Sequence, residues 1–205
     1  MSDDHSGQVG ILVFDQVEVL DFAGPYEVFS VARRASDRRQ GSTSPCPPVL
    51  LGTSTEAVTA TGGMRVLPDQ PLGAVSGLRA LIVPGGYGVR VLMEDSAVIA
   101  TLRALQPQLD VLMSVCTGAA VLARAGLLDG RSATTHKRYL DWLSELAPDC
   151  HLVRERRVVD DGNLITAAGI SAGIDAALHL LARWEGQAVA DETADYMEYR
   201  PPACP

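Results

Sequence analysis

A chain of 205 residues, 47% hydrophobic and 20% charged, has an ordinary globular composition and enough length to bury a sizeable core. Its 17 basic against 25 acidic residues give a formal charge of −8, which argues against a nucleic-acid partner. Cys46, Cys116, Cys150 and Cys204 are scattered, and no stretch nears the ~18 apolar residues of a membrane span, so a disulfide framework, a zinc ribbon and a membrane protein are all disfavoured.

The polar start Met-Ser-Asp-Asp-His-Ser-Gly has no apolar signal region, and a cytoplasmic location is expected. Residues 1–7 read as a flexible tail and 8–205 as one domain. The run at 8–14 predicts a strand buried on both faces. Pro25 suits the first turn of a helix continuing over 26–34, since its missing N–H is unneeded there. Residues 35–48, rich in Ser, Arg, Pro and Gly, predict an exposed loop.

A second strand follows at 49–51, and 57–60 with 64–67 predict a hairpin around Thr61-Gly62-Gly63. Leu78 to Val83 is a buried strand ended by Pro84-Gly85-Gly86-Tyr87-Gly88, and a helix is expected over 96–105 with Glu94 and Asp95 at its start. Residues 111–115 are again a strand, and a small-residue helix runs from Thr117-Gly118 to Gly126. Residues 132–135 are extended, 137–146 helical, and 152–153 and 156–159 strands. Asp160-Asp161-Gly162-Asn163 turns the chain into a strand at 164–166. Helices are expected over 171–184 and within 187–199, before Pro201-Pro202. Alternating strands and helices predict an α/β sandwich with a mainly parallel sheet.

Three strand ends carry unusual residues. Cys116 sits between strand and helix, the geometry of a nucleophile elbow, at a helix start that favours a thiolate. A buried core cysteine is the plain alternative. Gly85-Gly86 either let backbone N–H groups approach a ligand or simply make a tight turn. Asp21 follows an apolar stretch, where a charged group needs a partner; it serves as an acid beside the cysteine or caps a helix. A thiol, two backbone donors and a carboxylic acid together would suit covalent catalysis.

His136, beside Thr134 and Thr135, is the histidine placed to act as a base or to line a pocket. Nothing calls for a metal or a nucleotide, and Gly85-Gly86-Tyr87-Gly88 matches no phosphate loop. Ser132 and Ser171 lie in no G-x-S-x-G elbow. Arg154, Arg156 and Arg157 read as a solvated hairpin face.

Ile-Val-Pro-Gly-Gly at 82–86, Ser-Val-Cys-Thr-Gly at 114–118, Ala-Gly-Leu-Leu-Asp-Gly-Arg-Ser-Ala-Thr-Thr-His at 125–136 and Ile-Ser-Ala-Gly-Ile-Asp-Ala-Ala-Leu at 170–178 together resemble the ThiJ/PfpI superfamily over about 10–185. The resemblance implies a flavodoxin-like three-layer sandwich of the class I glutamine-amidotransferase type, with helices on both faces of the sheet. It implies Cys116 as elbow nucleophile, with Gly86 and Thr117 N–H groups as an oxyanion site.

Leu-Asp-Phe-Ala-Gly-Pro at 20–25 with Cys116-Thr117 is most similar to the isocyanide hydratase branch. That implies a thioimidate on Cys116, Asp21 as proton relay, and a pocket lined by Gly85, Tyr87, His136 and Ile170. It also implies no cofactor, a small-molecule substrate and a homodimer. Tyr87 is larger than its counterpart in that branch, and those hydratases continue further past 199–202. The alternatives are a sensor domain like that of AraC-type regulators, which the acidic charge and lack of a recognition helix disfavour, and a redox or aldehyde-handling relative in which Cys116 oxidises.

Overall fold

The computed structural model of the chain describes residues 7–34 and 43–200. The expected tail (bar Gly7), part of the expected loop at 35–48, Pro201-Pro202, His5 and Cys204 lie outside the described residues. The elements in chain order are β1 (Gln8–Leu12), α1 (Val19–Val31), β2 (Pro48–Gly52), β3 (Val58–Thr59), β4 (Arg65–Val66), β5 (Gln70–Pro71) and β6 (Leu78–Val83). They continue as α2 (Val89–Leu92), α3 (Ser96–Leu105), β7 (Val111–Val115), α4 (Gly118–Arg124), β8 (Ser132–Ala133) and α5 (Leu140–Leu146). The chain then runs through β9 (His151–Leu152), β10 (Val158–Asp161), β11 (Leu164–Ala167), α6 (Ala172–Glu185) and α7 (Gln187–Tyr196).

Seven strands form one sheet in the order β10-β11-β7-β6-β1-β2-β5, parallel throughout except for β10 against β11. The continuous apolar strands follow from burial on both faces. Ile11, Leu12, Leu81, Ile82, Leu112 and Met113 are essentially inaccessible. Parallel strands joined by helices cross over right-handedly. The step from β1 to β2 runs one way along the sheet and the step from β6 to β7 the other, so α1 and α3 cover opposite faces. The direction reverses between β1 and β6, and α/β sheets place their sites outside the strand ends at such a switch point. The chain therefore has the α/β sandwich expected from its pattern, in the three-layer flavodoxin-like form that the resemblance implied.

Two expectations need correction. The first helix starts at Val19, with Pro25 inside it and Asp21 in its first turn. Proline in a helix interior removes one hydrogen bond, usually costing ~3 kcal/mol or more. The close packing of α1 on α6 opposes that cost. A Cβ on Gly24 would lie 2.8 Å from Ile174 Cγ1, and one on Gly173 would lie 3.4 Å from Pro25 Cγ. The second concerns the strand expected at 152–153, which lies at His151–Leu152 and pairs with β8 in a two-stranded ribbon apart from the main sheet. Strand β5, pairing at the sheet edge where its proline is tolerated, and the short helix α2 had no signal in the sequence.

Elsewhere, local chemistry and structure agree. Asp95 caps α3, its carboxylate accepting from the N–H groups of Ala97 at 2.9 Å and Val98 at 3.2 Å. Glu94 instead pairs with Arg124 of α4 at 3.0 Å. Among the described residues, no helix is long and apolar enough to cross a membrane, and no group of three or more His, Cys, Asp or Glu side chains is placed to hold a metal.

Candidate active site

Strand β7 ends at Val115, and the next residue turns sharply. Cys116 has φ 56°, in the left-handed region that costs an L-residue about 1–2 kcal/mol. The turn is held from both sides. Cys116 N–H is within 3.0 Å of the carbonyls of Ala167 and Ala168, and Thr135 Oγ1–H donates to the Cys116 carbonyl at 2.6 Å. The sharp entry into α4 also needs Gly118, where any Cβ would collide with the Val83 carbonyl oxygen. Cys116 is only 6% exposed. Its sulfur accepts hydrogen bonds from the backbone N–H groups of Thr117 and Ile170.

Ile170 shares the strained conformation, at φ 52°. A β-branched residue in that region is a true outlier, and such strain gathers at functional sites. Here the turn aims the Ile170 N–H at the cysteine sulfur, and Ile170 stays 38% exposed on the pocket surface.

Asp21 arrives from the loop after β1. Val17 bridges Gly86, and Glu18 N–H donates to the Gly85 carbonyl at 2.9 Å, so this loop is laced to the turn after β6. The lacing requires glycine at 86: φ is 123°, and a Cβ would strike the Gln16 carbonyl and the Glu18 amide. Gly85 has another reason. A Cβ there would lie 2.6 Å from Thr117 Oγ1 and 2.9 Å from Asp21 Oδ2, wedged between two site side chains.

The Asp21 side chain is fully buried, and Oδ2 accepts the Gly85 N–H at 2.9 Å. Its other oxygen, Oδ1, is buried without a hydrogen-bond partner. Asp21 therefore does not act as a helix cap. Burial pushes its carboxyl up to about 7, against the lowering effect of the Gly85 N–H, with the charge of Glu18 adding to the rise.

Cys116 moves in the same direction. Burial and the neighbouring Asp21 charge push the thiol up to about 12, outweighing the donors from Thr117 and Ile170. The thiolate expected from the helix start is thus opposed by desolvation. It becomes accessible when Asp21 carries the proton and the like charge is gone.

Gly86, Tyr87, Cys116, Thr117, His136 and Ile170 line one open pocket of about 170 Å³. Asp21 and Gly85 stand behind it. The pocket also includes Glu18, Arg90, Arg138 and Tyr139, which sequence reasoning did not single out. Gly86 N–H donates to Thr117 Oγ1 at 3.1 Å, and Thr117 N–H is engaged by the cysteine sulfur. Tyr87 is 64% exposed at the rim.

His136 accepts the Arg138 N–H on Nδ1 at 3.2 Å, and its ring packs directly on Gly169. Burial, with Arg138 and Lys137 nearby, holds its pKa below the usual histidine value. Such an arrangement keeps the ring neutral, with its proton on Nε2. His136 makes no hydrogen bond to Cys116, so the structure brings it to the pocket wall rather than into a Cys–His pair. His179 is tied to Asp160 at 2.6 Å, away from this pocket.

Comparisons with known proteins fit this geometry. The model of the DJ-1/PfpI family matches residues 7–183. Isonitrile hydratase of Pseudomonas putida is 38% identical over 194 residues, covering 95% of this chain and 79% of that protein. The HTH-type transcriptional regulator GbdR of Pseudomonas aeruginosa is 28% identical over 191 residues, spanning 93% of this chain but only 50% of the regulator. Among solved structures, a ThiJ/PfpI family protein from Pseudomonas syringae superimposes with a TM-score of 0.83 at 30% identity, covering 97% of this chain and 78% of that one.

Proposed function

The chain belongs to the DJ-1/PfpI family, and from that premise we propose that it hydrates an isocyanide (isonitrile) to an N-substituted formamide through a covalent intermediate on Cys116. The observation that carries this reading is the pairing of a strained cysteine with a buried carboxyl whose pKa is raised to about 7. The likeness to isonitrile hydratase supports the choice of substrate.

An isocyanide carbon must accept a nucleophile and a proton together. With the proton on Asp21, the Cys116 thiolate adds its electron pair to the terminal carbon of R–N≡C, and Asp21 delivers its proton to that same carbon. The product is a thioimidate, R–N=CH–S–Cys116, and Asp21 is left as a carboxylate. Asp21 then takes a proton from water as the water oxygen bonds to the thioimidate carbon, and passes that proton to the nitrogen, giving R–NH–CH(OH)–S–Cys116. Collapse breaks the C–S bond, giving R–NH–CHO and restoring one proton to the Cys116–Asp21 pair. The sum is R–NC + H₂O → R–NH–CHO, with no electron transfer and no cofactor required.

Attack at the isocyanide carbon creates no oxyanion, which agrees with Gly86 and Thr117 N–H groups being hydrogen-bonded within the site. In this scheme they become useful only after water has added and a tetrahedral carbon bears oxygen. The test is formamide production from p-nitrophenyl isocyanide by the wild type and by Cys116→Ala. Turnover by the wild type alone is expected; no turnover by the wild type at high enzyme concentration would overturn the reading.

The likeness to GbdR favours one second reading, a pocket that senses a ligand without transforming it. Ligand-induced stabilisation that survives Cys116→Ala, combined with no turnover of any isocyanide, would select it.

A further inference from the structure

The Cys116 pocket carries two arginines that the hydration chemistry leaves without a task. Arg90, from α2, and Arg138, from the segment before α5, line the same pocket as Cys116. Both are exposed, and neither makes an ion pair among the described residues. Arg33, Arg65, Arg103, Arg156 and Arg200 likewise make no ion pair among the described residues, so what sets these two apart is their place in the Cys116 pocket. Arg79, Arg124, Arg131, Arg154, Arg157 and Arg183 all have acidic partners within 4 Å.

Arg90 is nevertheless held in place. Its guanidinium carbon lies 5.4 Å from the Trp142 ring centroid and 5.9 Å from that of Tyr139. Tyr139 packs edge-on to Trp142 at 5.9 Å and against His136 at 5.6 Å, so the rings form one cluster, of which His136 and Tyr139 line the pocket. Aromatic faces orient a guanidinium without neutralising it, leaving its N–H fork available for a bidentate anion.

Glu18, the carboxylic side chain in the pocket lining, acts on Asp21, and no ion pair joins it to either arginine. Arg138 instead acts on His136, whose neutral ring with the proton on Nε2 adds a donor and no negative charge.

We propose that the substrate of this pocket carries a carboxylate, held by Arg90 and Arg138 beside Tyr139 while the reacting carbon lies at Cys116. The proposal rests on the reading of Cys116 as the nucleophile for isocyanides, and it narrows that class to isocyano carboxylates. The arginines bind and orient; they take no part in bond making.

The test uses two independent readouts on the wild type and on the Arg90→Gln/Arg138→Gln double variant, whose substituted side chains are exposed. The first does not depend on hydration. Cys116 displaces iodide from anionic iodoacetate or neutral iodoacetamide, read by the mass of its peptide, with the rate ratio normalised to that of glutathione. The expected iodoacetate preference at Cys116 is roughly ten-fold in low salt. It should shrink in high salt and fall to the glutathione ratio in the double variant. The second compares kcat/KM for isocyanoacetate and its methyl ester, with a similar preference expected through KM.

A wild-type alkylation ratio equal to that of glutathione, or a preference that persists in the double variant, overturns the proposal whatever happens to isocyanides. An ester turned over as well as the acid by the wild type also overturns it. If the alkylation preference appears and then vanishes as expected while no isocyanide is hydrated, the carboxylate subsite stands and the hydratase reading falls.

Discussion

Thr135 donates its hydroxyl to the carbonyl of Cys116 at 2.6 Å, so a side chain nineteen positions downstream holds the nucleophile's own backbone. Thr135 is 2% exposed, and neighbouring Thr134 donates its N–H to Thr166 Oγ1 at 2.8 Å. The left-handed turn at Cys116 is therefore anchored to the segment around β8 as well as to β11.

Replacing Thr135 with Val should expose that dependence. The variant keeps the shape but leaves a buried carbonyl unsatisfied, a loss of about 1–3 kcal/mol. Thermal or denaturant unfolding checks the stability, and the rate of Cys116 alkylation checks the elbow. Thr135→Ser, which restores the hydroxyl, should recover most of both. Equal stability of the wild type and Thr135→Val would show that the contact does not hold the turn.

Asp21 gives a stability prediction with a definite sign. Its carboxyl titrates near 7 when folded and near 3.8 as a free side chain, so the folded state binds the extra proton between those values. Stability should fall as pH rises across that interval, at up to 1.36 kcal/mol per pH unit, and level off above about 7. Asp21→Asn removes the titration. The variant should equal or exceed the wild type in stability at pH 8, lose that advantage towards pH 4, and still lose at least roughly 10²-fold in turnover. Denaturant curves across the pH range, paired with formamide production, check both halves. Unchanged turnover would reduce Asp21 to a structural role.

The same pair should govern the reactivity of Cys116. Below about 7 both groups hold protons; above it the pair carries one charge, held mainly by Asp21, and the proposed coupling is that a minor share of molecules carries it on sulfur instead. Alkylation of Cys116 by iodoacetamide should rise with pH through an apparent pKa near 7 and flatten above it. In Asp21→Asn the step near 7 should be missing, leaving the cysteine to titrate alone. A profile that is the same in both proteins would break the proposed coupling.

Much of this site could be read from the sequence because Cys116 and Gly85-Gly86 sit at strand ends and Asp21 lies in the first turn of the helix that follows β1. Cys116, Gly85-Gly86 and Asp21 each interrupt an apolar stretch, and a parallel sheet gathers such interruptions at one edge. The expected start of the first helix was misplaced because Pro25 normally signals a first turn, whereas here packing on α6 outweighs the lost hydrogen bond. Thr135 attracted notice only as a polar neighbour of His136, since its contact with Cys116 depends on where β8 lies. Arg90, Arg138 and Tyr139 carry no local periodic signal. They meet only because α2 and the segment leading into α5 approach the same pocket, though the Lys-Arg-Tyr following His136 was a clue.

The most direct test of the account is the mass of the Cys116 peptide during turnover of p-nitrophenyl isocyanide. Rapidly quenched wild type, or Asp21→Asn, should gain the whole mass of the isocyanide on Cys116, as a thioimidate requires, with formamide accumulating in the wild type. Cys116→Ala should show neither adduct nor formamide. Formamide produced by Cys116→Ala at the wild-type rate would contradict the central claim.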